Sequence, residues 1–337
     1  MLDRSKSYVP QRSIYDERYA HDRYDHRSAV RVLTAEKEAL DDAVGRALKA
    51  NPDAETITIF DFGYGTGRVT NEFIEHFVSQ FGASRKDLLV AAYDVSSSGL
   101  RKAHAALRAK GFSDLGEFRW HAEGTASYVA GSVSREISGV SVTIDFVHAC
   151  EDESPEKMTQ LAMRINNEQG FLVTTSWYSG LGHVPGAELR REYFRQLGGL
   201  THANGEIVLS LSSTGDLVNE QREWAERLAS GAVDDFPIEA SGDVVYSTEL
   251  DQRNFYHVFG AELGDHMASI TGPGQYWWIE GIRYPDEEFT SKDEEQANYL
   301  RVRTANERKR GRAWEAADYR EFHTVAAFRS AMNPMKR

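Results

Sequence analysis

The sequence predicts an α/β protein, a doubly wound and mostly parallel sheet of seven strands with a helical lid before it and a long C-terminal insertion forming a substrate cap. Three observations carry this reading. Short apolar runs alternate with segments of helical period between residues 56 and 176, as in strand–helix–strand units. A glycine-rich turn directly follows the first of those runs. After the irregular stretch 178–320, a final apolar run, His323 to Arg329, returns as an antiparallel strand.

The first strand is Thr56 to Phe62, and Val69, Phe73, Phe77 and Phe81 then recur at four-residue spacing along a helix. Leu88 to Tyr93 is the second strand. Serines 96 to 98 cap the next helix, which turns Leu100, Ala103 and Leu107 inward and stops at Lys110-Gly111. The third strand is expected at Glu117 to His121 and the fourth at Val140 to Ala149. Ser154-Pro155 opens a helix and Gly170 closes it ahead of a fifth strand, Phe171 to Thr175. Further helices are expected over Ala187 to Gln196, Asp216 to Leu228 and Glu249 to Ile270. This divides the chain into a lid (1–45), a ligand-binding core (46–200), a substrate cap (201–320) and a return strand (321–337).

Composition removes several functions. At 337 residues and net charge -13, the chain has room for an ordinary core, but its acidic field opposes phosphate backbones, so no nucleic-acid partner is expected. The one basic cluster, Arg301 to Arg312, reads as a solvated helix face. No apolar stretch approaches the roughly 18 residues of a membrane span, and no apolar signal core follows Met1, so a cytoplasmic protein without a membrane partner is expected, as monomer or homodimer. With Cys150 the sole cysteine, neither an internal disulfide nor a thiolate metal cluster can form.

Chemistry concentrates at Asp61-Phe62-Gly63-Tyr64-Gly65-Thr66-Gly67-Arg68. Gly63 and Gly65 permit close backbone approach and positive φ, and Gly67 lets the helix start pack on the sheet. A dinucleotide fingerprint needs glycine at the first, third and sixth places to seat a pyrophosphate on the helix N-terminus. Here the sixth place is Arg68. A structural turn that binds nothing is the plain alternative.

An acidic residue ahead of Gly-x-Gly-x-Gly at a strand end resembles the first motif of the class I, Rossmann-like methyltransferases that use S-adenosylmethionine. The resemblance covers about residues 55 to 176. It implies that Asp61 lies near the ammonium end of the cofactor and that Asp94, with Val95 beside it, holds the ribose, a carboxylate accepting from both hydroxyls. It also implies that the loop after strand three brackets the adenine, which falls on Glu123 and Gly124. S-adenosylhomocysteine would be the product and no metal is implied. His148 ends the fourth strand beside this site. The acidic run Glu151-Asp152-Glu153 suggests magnesium, but no second set of oxygen ligands accompanies it, and it reads as a solvated helix start favoured by the dipole.

The acceptor is expected to be a small aromatic or indole-like natural product. The chain resembles the indole C-methyltransferases of pyrroloindoline pathways in general look, with C- or N-methylation favoured. An amino-acid or amine N-methyltransferase is the near alternative. An NAD(P) oxidoreductase and a non-catalytic nucleotide-binding protein are the alternatives from other classes. Methyl transfer needs alignment and exclusion of water, helped by aromatic faces toward a sulfonium and by a base where the acceptor carries a proton. Tyr15 and Tyr19 share a helical face, and Tyr24 would close over the cofactor. Trp177, Tyr178 and His183 stand on the glycine-rich loop after the fifth strand. Of the adjacent Trp277 and Trp278, pointing oppositely in a strand, one is core and Trp278 is taken to line a pocket. His257, with apolar neighbours on an expected helix, is either a core histidine or a base.

Overall fold

Helices cover both faces of one twisted sheet in the computed structural model, which describes residues 15–16, 30–81, 86–120, 126–150, 153–177, 180–184, 186–212, 243–247, 253–257, 259, 263, 265–266, 270, 276–282 and 323–329. Helix α1 spans Val30–Ala50. Its buried positions Ala35, Ala39, Ala43 and Ala47, with Glu36, Leu40 and Val44, recur at helical spacing, so one stripe faces the sheet. Four small residues in that stripe bring the helix axis close to the strands. Then follow β1 (Thr56–Phe62), α2 (Thr70–Phe81), β2 (Asp87–Asp94), α3 (Ser97–Ala109), β3 (Ser113–Asp114), β4 (Tyr128–Ile137), β5 (Val140–His148), α4 (Pro155–Ile165), β6 (Phe171–Ser176), α5 (Ala187–Leu200), β7 (Thr201–Ser212), β8 (Asp243–Ser247), β9 (Arg253–His257), β10 (Tyr276–Ile282) and β11 (His323–Arg329).

The main sheet runs β10-β11-β7-β6-β1-β2-β5-β4-β3. Its centre, β7-β6-β1-β2-β5, is parallel, and β11 lies antiparallel between β7 and β10. Within β1, Ile57 and Ile59 join the core under α1, α2 and α3, whereas Phe60 and Phe62 join the core under α4 and α5. This two-sided burial explains the nearly continuous apolar runs. The doubly wound, mostly parallel sheet therefore stands, with the short β3 and the hairpin strand β4 added at one edge.

Several expectations need correction. Residues 115–120 carry no strand, residue 121 lies outside the described residues, and the third parallel strand is β5, reached through the hairpin with β4. The helix expected over 249–270 is interrupted by β9, which pairs with β8 in a separate two-stranded sheet. Helix 216–228 lies outside the described residues. The cap boundary at 201 cuts off β7 and β10, both main-sheet strands, and the lid boundary at 45 cuts through α1, which packs on β7 and β11. β7 starts at the residue after α5 ends, so no glycine or proline turn marks its entry.

Candidate functional site

Strand order reverses at β1: the chain moves first to β2 on one side and later to β6 on the other. Open α/β sheets bind ligands in the crevice at such a point, beyond the strands' carboxyl ends. Here β1 ends at Phe62 and β6 at Ser176, paired in register. In the turn that follows β1, Gly63, Gly65 and Gly67 have φ of 75°, 56° and 71°. Side chains are excluded at Gly67, where a Cβ would lie 2.4 Å from Asn71 Nδ2 and 2.7 Å from the Tyr64 ring. Tyr64 is itself fixed, buried and donating to Asn71 Oδ1 at 2.5 Å.

Four of the turn's N–H groups are used within the protein. Gly63 and Tyr64 donate to the Tyr93 carbonyl at 2.9 and 3.0 Å, and Gly67 donates to the Tyr64 carbonyl at 2.8 Å. Gly65 donates to Asp94 Oδ2 at 2.6 Å, while Asp94 Oδ1 accepts from the Ser96 N–H at 2.7 Å. The Val95 N–H is a third backbone donor to this carboxylate, out of the roughly four acceptor sites a carboxylate has. Burial pushes the Asp94 carboxyl up to about 6, the Ser96 and Gly65 N–H groups pull it down, and the Asp16 charge raises it again. Arg68 does not face a pyrophosphate seat; it donates to the fully buried Glu36 of α1 at 2.7 Å.

Beneath the turn, Asp61 is fully buried and its Oδ2 accepts from the Thr70 hydroxyl. Burial pushes this carboxyl up to about 7, against the pull of Thr70, Thr175 and Trp177, with the Asp94 charge raising it further. Asp61 Oδ1, Ser176 Oγ and Trp177 Nε1 are buried without a well-aligned hydrogen bond among the described residues, although the Thr175 hydroxyl and the Trp177 indole lie close enough to Asp61 to lower its carboxyl. They lie on β1 and at the end of β6, flanking the switch point. Gly180 completes this wall: its Cα is 3.5 Å from where a Gly63 Cβ would stand, and its own Cβ would lie 3.1 Å from Ser176 Oγ.

His148 lies opposite Asp94 in the β2–β5 register. Its Nε2 donates to the Val95 carbonyl at 3.2 Å, which leaves Nδ1 to accept from the Tyr128 hydroxyl at 3.0 Å. The imidazole thus braces the turn that carries Asp94 and Val95. Across the crevice, the Tyr15 hydroxyl meets His183 Nε2 at 2.6 Å, with the rings edge to face at 5.2 Å. Asp16 Oδ1 accepts from Ser96 Oγ at 2.7 Å and the Ser98 N–H at 2.8 Å, at the N-terminus of α3.

The structure therefore brings together Asp61, Gly63, Gly65, Gly67, Asp94, Val95, His148, Trp177, Tyr15 and His183 at one edge of the sheet. Tyr19, Tyr24, Glu123, Gly124 and Tyr178 lie outside the described residues. His257 is placed elsewhere than expected: it ends a strand, is buried, and sits edge to face against Phe259 at 4.8 Å. Trp278 is on the edge strand β10, with β11 and β7 between it and β6, roughly 14 Å away at sheet spacing. Asp16, Ser96, Ser176 and Gly180 were not anticipated as site residues; Asp16 and Ser176 carry no sequence signal, whereas Ser96 was readable as a helix cap.

Among the described residues no group of three His, Cys, Asp or Glu side chains is placed to hold a metal ion, and no helix is long and apolar enough to cross a membrane. No family model matches the chain, and no curated protein matches it. Among solved structures, it is similar to an S-adenosylmethionine-dependent methyltransferase from Methanosarcina mazei, at 13% identity and a TM-score of 0.46, over 85% of this chain and 97% of that one. It is also similar to the magnesium protoporphyrin IX methyltransferase of Synechocystis with bound S-adenosylhomocysteine, at 11% identity and a TM-score of 0.45, over 95% and 98% of the two chains. A third similar structure is phosphoethanolamine N-methyltransferase 2 of Haemonchus contortus, at 12% identity and a TM-score of 0.41, over 97% of this chain and 61% of that one.

Proposed function

We propose that this chain is an enzyme that transfers a methyl group from S-adenosylmethionine to a small-molecule acceptor, releasing S-adenosylhomocysteine. One observation carries the reading: the N–H groups of Gly63, Tyr64, Gly65 and Gly67 are all taken up internally, while a buried carboxylate stands at the tip of the next strand. A pyrophosphate needs unpaired N–H donors and finds none on these four residues. A nucleoside with a free ribose and no phosphate needs the carboxylate. Asp94 would hold the ribose hydroxyls, with Val95 beside it and His148 bracing both. The buried Asp61 Oδ1, Ser176 Oγ and Trp177 Nε1, none with a well-aligned hydrogen bond, fit the polar amino-acid end of the same cofactor. When bound, the sulfonium supplies an electrophilic methyl group.

Because β5 is the third parallel strand, the adenine loop implied by the methyltransferase resemblance moves to the residues after His148, beginning Ala149-Cys150, and away from Glu123 and Gly124. Tyr15 and Trp177 supply aromatic faces for an acceptor that carries a ring. β10 ends where β11 begins, with Ile282 opposite His323 and His323 opposite Ser212, the carboxyl end of β7. The end of β10 and the start of β11 therefore both lie at the ligand edge.

Calorimetry with S-adenosylhomocysteine and NADH tests the reading. Binding of the former in the micromolar range and none of the latter is expected; binding of NADH alone would overturn it.

A further inference from the structure

Residues 15 and 16 reach both walls of the crevice at once. Asp16 docks at the start of α3, on Ser96 and the Ser98 N–H, and Ser96 also donates its own N–H to Asp94. The neighbouring Tyr15 is buried and turns to the other wall, meeting His183. His183 ends the 3-10 turn Gly180–His183, whose first residue packs against Gly63. The two contacts join positions 80 and 168 residues apart in sequence and straddle the glycine turn.

A phenol hydroxyl at hydrogen-bond distance from an imidazole nitrogen, held in a partly buried place at the ligand edge of the sheet, has a chemical use. We infer that Tyr15 and His183 form one acid–base couple that removes a proton from the acceptor, and that Asp16 is the positioning residue that assembles it. The inference rests on the proposed methyl transfer and names the acceptor class: a molecule whose methylated atom arrives bearing a proton, an amine as its ammonium or a phenol. The acceptor's X–H proton passes to the Tyr15 oxygen as the Tyr15 proton passes to His183 Nε2, leaving an imidazolium. The electron pair left on X forms the new bond to carbon while the methyl–sulfur bond breaks with its pair retained by sulfur. His183 then returns its proton to solvent. The couple joins positions 168 residues apart, so it depends on the seating of Tyr15 and Asp16 against the two walls.

The test has two arms with separate readouts. In the first, histidine-labelled full-length protein with saturating S-adenosylhomocysteine is titrated by NMR. Tyr15→Phe is expected to move the His183 ring resonances and its titration midpoint, and Asp16→Ala to reproduce most of that change without touching either ring. Unmoved His183 signals in Tyr15→Phe, or in Asp16→Ala, overturn the couple or its assembly respectively. In the second arm, labelled S-adenosylmethionine is offered with a panel of amines, phenols and aromatic compounds whose nucleophilic atom bears no acidic proton. Conversion is expected for amines or phenols, and Tyr15→Phe and His183→Gln should each lower kcat about a hundredfold or more, the usual scale of general base catalysis. Their affinity for S-adenosylhomocysteine should stay within about twofold, which separates this failure from failure of cofactor binding. Full turnover in both variants, no conversion of any amine or phenol, or conversion of proton-free acceptors alone overturns the inference.

Discussion

Replacing Asp61 by Asn should stabilise the ligand-free protein at neutral pH while weakening its hold on the cofactor. The Asp61 carboxyl is fully buried, and burial raises it from 3.8 to about 7. The folded state therefore binds this proton more tightly than the unfolded chain does. Stability associated with the group is complete below about pH 4, declines as pH rises from the unfolded value, and levels off above the folded value near 7. That rise corresponds to about 4 kcal/mol lost by pH 8. Asn has the same shape and lets Thr70 keep its acceptor, but carries no titrating charge. Across the two titrations, the stability gap between variant and wild type should widen by about 3 kcal/mol between pH 5 and pH 8. Urea unfolding of the cofactor-free protein at several pH values measures it. Calorimetry with S-adenosylhomocysteine should show the opposite ranking, because the ammonium loses its carboxylate. Parallel stability curves for the two proteins would refute the premise that burial strains this carboxylate.

Other predictions test neighbouring parts of the site. Asp94→Ala should weaken S-adenosylhomocysteine binding more than tenfold by calorimetry, the scale of lost charge-assisted hydrogen bonds. In the wild type, ionisation near 6 should by itself cost about tenfold in affinity between pH 7.5 and pH 5, since the ionised carboxylate is the acceptor and falls to about a tenth of the total. Gly67→Ala forces a methyl group against Asn71 and Tyr64 at a positive φ; thermal unfolding should reveal a loss of about 2 kcal/mol or more, with ligand binding reduced alongside it. Glu36→Ala strands the Arg68 guanidinium and should destabilise by about 3 kcal/mol in urea unfolding, with no gain of NADH binding.

The sequence made β1, β2 and β6 readable because their residues are buried on both faces and appear as apolar runs bounded by turn residues, whereas β5 alternates a buried face with the exposed Ser141 and the half-buried Thr143 and Asp145. β4 lacked that signal. Only Ala130 and Val133 are buried along it, and Ser132, Ser134 and Arg135 dilute the alternation. Its pairing with β5, interrupted by a shift between Val129 and Gly131, supplies the order that its own side chains do not. The glycine turn and Asp94 were equally legible, since local spacing determines both. The contacts of Asp16 and Tyr15 are set by tertiary docking across 80 and 168 residues, and nothing local distinguishes Asp16 from the other acids of a strongly acidic chain.

Missing one hairpin displaced the strand count, and the displacement has a testable consequence for the nucleoside. With β5 as third parallel strand, Asp94 and His148 stand side by side, and the Ala149 N–H donates to the Asp94 carbonyl at 2.8 Å. The chain beyond His148 therefore starts within reach of whatever Asp94 holds, and Cys150 is held there by its N–H on Ser127 Oγ at 2.8 Å. Cys150 is half-buried and the sole cysteine, so its thiol is a single-site reporter of that loop. Its alkylation should slow several-fold when S-adenosylhomocysteine is added and remain unchanged with NADH. In Asp94→Ala, the protection should require at least tenfold more ligand. A thiol that reacts at the same rate with and without the saturating nucleoside would place the adenine elsewhere and return the choice of loop to residues 121–125.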